Sequence, residues 1–222
     1  MRTTNLKPSR KAAAILLTAL AIVGAIAVAT TLAEANASRK SPTQAFHDQM
    51  RKLWEDHITW TRLAIISIVN GLADTGSTVD RLFQNQVDIG NAIKPFYGDQ
   101  AGNQLTSLLH AHIALAAEIL TDAKAGNSTG VNSASTRWYD NANQIAFFLF
   151  NANPGNWPLP ATQAMMKTHL DLTLQEAVAY LKADYTGSVQ SYDQVHLQIL
   201  TMADVLSAGI IAQVPHDFTG TR

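Results

Sequence analysis

The stretch Leu105-Thr106-Ser107-Leu108-Leu109-His110-Ala111-His112-Ile113-Ala114-Leu115-Ala116-Ala117-Glu118-Ile119-Leu120 decides the fold. Leu105, Leu108, Leu109, Ile113, Ala116, Ile119 and Leu120 recur every three or four residues, the spacing of one helix face. A strand would need alternation in steps of two, and no part of the chain shows it cleanly. The pattern predicts a helix over about Gln100–Ala125, closed by the flexible loop Gly126-Asn127-Ser128-Thr129-Gly130.

Working outward, the same period predicts helices over about Thr43–Leu72, Thr78–Ile93, Ser133–Asn151, Pro160–Ala183 and Ser188–Val214. Pro95 and Gly98 break the chain before the central helix, and Pro154-Gly155 and Pro215 mark later stops. The expected fold is all-α: a bundle of four long and two shorter helices. Arg81-Leu-Phe-Gln-Asn85 through His112 aligns loosely with Arg137-Trp-Tyr-Asp-Asn141 through His169, which suggests a pseudo-two-fold repeat. Phe147, Phe148 and Phe150 make their helix apolar nearly all round, so it is expected at the centre. Trp54, Trp60, Trp138 and Trp157 read as packing residues.

The N-terminus has its own pattern. Arg2, Lys7, Arg10 and Lys11 precede an uncharged run from Ala12 to Ala33, and Ala35-Asn36-Ala37 suits signal peptidase. Residues 1–37 are therefore expected to be a cleaved signal peptide, or else an uncleaved membrane anchor, since 22 uncharged residues can span a bilayer. Either way the following domain lies outside the cytoplasm: periplasmic, cell-surface or secreted. Residues 38–44 read as a linker, 45–216 as the bundle and 217–222 as a tail.

Composition excludes several functions. Beyond residue 37 the chain carries 12 Lys and Arg against 16 Asp and Glu, a net charge of −4. That domain has neither the basic footprint of a nucleic-acid binder nor a polybasic patch for anionic lipid, so membrane contact is expected through the N-terminal segment alone. The absence of cysteine excludes thiolate catalysis, zinc fingers, iron–sulfur clusters and covalent c-type haem. No Ser/His/Asp order, phosphate loop or paired carboxylates support an enzyme. The Glu-x-x-His and His-Glu-x-x-His patterns are also missing. Asn127-Ser128-Thr129 matches a glycosylation sequon, a weak signal at three residues.

The strings Leu53-Trp-Glu-Asp-His57-Ile-Thr-Trp60-Thr61-Arg62 and Asn85-Gln-Val-Asp88-Ile-Gly90-Asn91-Ala-Ile-Lys94-Pro95-Phe-Tyr97-Gly98 resemble a family of uncharacterised bacterial helical proteins. The likeness covers about residues 50–120. Some members carry a glycosyltransferase label, but this sequence has neither βαβ alternation nor an Asp-x-Asp motif to support it. The resemblance implies a helical fold and no particular chemistry.

Four of the seven histidines fall on apolar stripes. His57 follows Phe46, Met50 and Leu53; His112 follows Leu105 and Leu108; His169 follows Met165; His196 lies on Tyr192, Ile199, Ala203 and Leu206. His47 and His216 read as surface residues and His110 as off-stripe. Four inward imidazoles near mid-helix are expected to share one layer, where they could bind a transition metal or a haem. Asp193, Asn85, Gln86, Asp88 and Asn141 would then support them. The alternative is a buried network of histidines and amides that aligns helices in a structural or protein-interaction module near the membrane. The two differ in one observable: whether all four rings turn inward and converge.

Overall fold

A computed structural model describes residues 40–219. Among them the chain forms α1 (Pro42–Asn70), α2 (Thr75–Lys124), α3 (Ser128–Ala152), α4 (Leu159–Leu181) and α5 (Tyr185–Gln213), with a final 3-10 turn at Pro215–Phe218 and no strand. The all-α expectation therefore holds. The expected signal or anchor over 1–37 lies outside the described residues. α1 begins at Pro42, inside the stretch 38–44 expected to be a linker. Proline suits a first helical turn, where its missing N–H is not needed.

α2 is two helices joined at a sharp bend. Pro95 cannot donate to the preceding turn. At Gly98 the backbone leaves helical geometry with φ 81° and ψ 168°, a left-handed conformation that favours glycine. Residues 75–97 and 99–124 then fold back on each other. Gly90 and Gly102 meet at the crossing, and a Cβ on either would lie 2.6 Å from the other's carbonyl oxygen. The bend falls where Pro95 and Gly98 predicted it, so six helical segments pack in all.

Two other turns share a device. Asn127 caps α3 by accepting from Gly130 N at 3.1 Å, and Asp184 caps α5 by accepting from Gly187 N at 2.9 Å. The sequon asparagine is thus a helix cap, and its Nδ2 also donates to Asp122.

The helices close into a ring. α2 lies between α1 and α3, α4 between α3 and α5, and α5 returns to α1. Met50, Trp54, Ile58, Ile89, Leu109, Ile145, Leu170, Ile199, Met202 and Ile210 share one core. α5 is long and apolar enough to cross a bilayer, yet Val195, Ile199, Met202, Leu206 and Ile210 along it are buried in that core. α3 is not central as its phenylalanines suggested: Phe147 is 54% exposed. The expected tail is partly docked, since Phe218 packs on Phe46 and Phe96 with ring centroids 5.3 and 5.4 Å apart.

Candidate functional site: a layer of clasped histidines

Three of the four stripe histidines reach the interior. His57, His112 and His169 are all buried. They sit on α1, on the second half of α2 and on α4. His57 and His169 have ring centroids 5.7 Å apart. Trp54 meets His57 edge-on at 5.8 Å, and Trp138 lies over His112 at 5.2 Å.

His196 does not join them. Its side chain is 35% exposed and its Nε2 lies 2.7 Å from Glu55 Oε1 at the surface. The buried line of α5 runs Val195, Ile199, Met202, Leu206, which places His196 one step round on the edge of the stripe. The four-histidine site expected from the sequence is therefore corrected to three buried rings. Asp193 is exposed, and Asp88 is engaged by Arg81 and Gln84 outside the layer, so neither supports the histidines. Asn85, Gln86 and Asn141 are buried beside the layer as expected.

Each buried ring is held in the same way. His57 Nδ1 meets Gln86 Nε2 at 3.2 Å, His112 Nδ1 meets Asn141 Oδ1 at 2.9 Å, and His169 Nδ1 meets Gln198 Oε1 at 3.1 Å. In all three the amide lies 29 residues after the histidine, on the next helical segment. An amide also donates to the carbonyl one turn before each histidine: Asn141 to Leu108 at 3.1 Å, Gln198 to Met165 at 3.2 Å, and Asn85 to Leu53 at 3.0 Å. In the first hairpin the task is divided, because Gln86 takes the ring and Asn85 the carbonyl, with Gln86 Nε2 to Asn85 Oδ1 at 3.1 Å. A histidine–amide–carbonyl clasp thus recurs in three successive helical hairpins. The pseudo-two-fold repeat read from the sequence is better described as this three-fold recurrence. Gln198 was not singled out in the sequence, although its 29-residue spacing from His169 was there to be read.

Burial sets the electrostatics. Desolvation first, then the neighbouring histidines, hold His57 well below the usual imidazole range. The same two causes bring His112 down to about 3, against its hydrogen bond to Asn141. Desolvation brings His169 down to about 4, against its bond to Gln198. All three are neutral at pH 7. Further along α4, Glu176 is buried and pushed up to about 7 by desolvation, while Arg62, at 2.7 Å, opposes that shift. Arg62 also reaches Ser188 and lies 5.0 Å over the Tyr192 ring.

The interior leaves little room for a cofactor. Thr61, Ala116, Trp138 and Thr173, one turn beyond the clasps, line an apolar cavity of about 40 Å³. Pockets for organic ligands run to roughly 300–1,000 Å³, so a haem does not fit without repacking. Among the described residues no three His, Asp or Glu side chains are arranged to hold a metal ion. Compared with known proteins, the chain matches no family model, no curated protein and no solved structure.

Proposed function

We propose that this chain is a structural or protein-interaction module, a helical bundle whose buried histidines are clasps that set helix register, not ligands for a metal or haem. The observation that carries this reading is the three-fold clasp at one 29-residue spacing. A ligand site calls for rings that converge from different directions on one point. A repeated hairpin clasp calls for each ring to be matched to its own neighbouring helix, as here. In an apolar core such clasps favour one helix register over its neighbours, because a slip would strand buried polar groups at about 1–3 kcal/mol each. The basic and uncharged runs of residues 1–37 support a place outside the cytoplasm.

Purified protein incubated with zinc, copper, nickel, iron and haemin, then desalted, tests it. The expected result is no retained metal and no haem absorption band. His112→Gln should lower stability while leaving the bound content at zero. Stoichiometric retention of any of these ligands, lost in His112→Gln, overturns the reading.

A second reading has one observation in its favour. His112 and His169 each engage Nδ1 with an amide oxygen, as metal-bound histidines commonly do, and keep Nε2 for another partner. The same incubation decides between the two, because only this reading expects a metal that requires both residues.

A further inference from the structure

We propose that the groove between α2 and α3 binds an extended, uncharged peptide segment of a partner protein and holds its main chain through side-chain amides. The proposal rests on the interaction-module reading above and names the kind of partner. The groove measures about 810 Å³, within the roughly 300–1,000 Å³ of ligand pockets. Its floor is apolar, with Leu108, Phe148 and Ala152 half-buried. Gln104 stands on the α2 wall, Asn143, Gln144 and Asn151 on the α3 wall, and Gln163 reaches in from α4. Among the described residues that line it there is no Asp, Glu, Lys, Arg or His.

These amides are exposed and free to bind. Among the described residues the side chains of Gln104, Gln144 and Asn151 make no hydrogen bond. Asn143 accepts from Gln163 Nε2 at 3.3 Å and keeps its own NH2 protons and a second lone pair. Between Asn143 and Asn151 stands Phe147, 54% exposed.

Spacing selects the occupant. Asn143, Phe147 and Asn151 stand four residues apart on one row of α3, which puts them about 6 Å apart along the helix. In an extended chain every second residue repeats at about 6.6 Å. A residue whose N–H and C=O meet Asn143 is followed, two residues on, by one whose side chain lies at Phe147. Four residues on comes one whose N–H and C=O meet Asn151. The match is chemical as well, because an amide side chain offers one acceptor and one NH2 group, the complement of a residue's N–H and C=O. A helical partner has no such groups to offer, since its N–H and C=O bond each other. A charged side chain would lose its water in this groove and find no partner, which costs free energy. The segment is therefore uncharged where it lies there, with an apolar residue at Phe147.

Selection of phage-displayed random heptapeptides on the full wild-type chain tests this, with maltohexaose as a second probe. The enriched sequences should carry one apolar residue flanked by uncharged ones. A capped synthetic copy should bind Asn151→Ala and Phe147→Ser at least tenfold more weakly than wild type. Both positions are exposed, so both variants should keep the wild-type melting temperature. N-methylation two residues to either side of the apolar one should cost as much, because it removes the N–H that an asparagine accepts. No enriched sequence, equal affinity for Asn151→Ala, or undiminished binding after N-methylation overturns the proposal. Maltohexaose that binds wild type but not Asn151→Ala, with no peptide enriched, overturns it in favour of a saccharide. Each of these results leaves the clasps intact, whereas metal retention in the incubation above would sink the functional reading.

Discussion

At the scale of single residues, the clasps give unequal costs on their two sides. Asn141→Leu removes the partner of the His112 Nδ1–H and of the Leu108 carbonyl together. Denaturant unfolding should show a loss of about 2–4 kcal/mol, from one or two stranded buried groups. Adding His112→Leu to Asn141→Leu should cost less than the sum of the two single changes, because an apolar pair strands only the carbonyl. Additivity in that cycle would mean the two side chains are not coupled. His57, His112 and His169 were legible in the sequence because a polar residue on a wide apolar stripe stands out. His196 misled because its stripe is broad enough for a residue to lie on its edge. Gln198 stayed hidden, since a lone glutamine on a helix has no signal until its partner is known. Asp193 and Asp88 were suggested by nearness in sequence, which says nothing about helix face.

Among the elements, glycines fix how helices meet. Gly209 on α5 lies under Trp157, and a Cβ there would sit 2.2 Å from the indole Nε1. That indole donates to Val205 O at 3.3 Å, and Asn153 Nδ2 donates to Gly209 O at 2.8 Å. Gly209→Ala should therefore push the α3–α4 connection off α5 and lower stability by about 1–3 kcal/mol. A Trp157 emission shift to longer wavelength would report it, and an unchanged spectrum and melting temperature would refute it. Gly98→Ala meets no neighbouring atom within 4 Å. Its cost should come from the backbone conformation alone, about 1–3 kcal/mol. The helices themselves were readable from period and punctuation, because Pro95, Gly98, Gly126 and Pro154 act through local backbone chemistry. Their neighbours were less readable. The exposure of Phe147 depends on which helices flank α3, and no local pattern carries that.

The whole molecule responds to acid through the buried rings. Unfolded histidines take up protons near pH 6.5, whereas the folded values for His112 and His169 are about 3 and 4 and His57 is also far down. The sign follows: the unfolded state binds more protons, so the native state is fully favoured above pH 6.5 and loses stability as pH falls toward 4. Glu176, raised to about 7, works the other way between its folded value and the usual carboxyl range. With three groups against one, stability should fall by roughly 3 kcal/mol per pH unit near pH 5. Urea midpoints measured from pH 7.5 to 4.5 check this, and a flat profile would place the three rings in water. Replacing Glu176 with Gln should steepen the fall.

The return of α5 to α1 also has a consequence in time. Each clasp joins residues 29 apart, so a hairpin can close before distant parts of the chain meet. The contact between α1 and α5 joins the two ends of the bundle, as Arg51 and Asp204 do across 153 residues. One flank of α1 has no permanent neighbour until the last helix has been made. A chain folding from its N-terminal end is expected to pass through a row of closed hairpins with an open seam, which the final helix shuts.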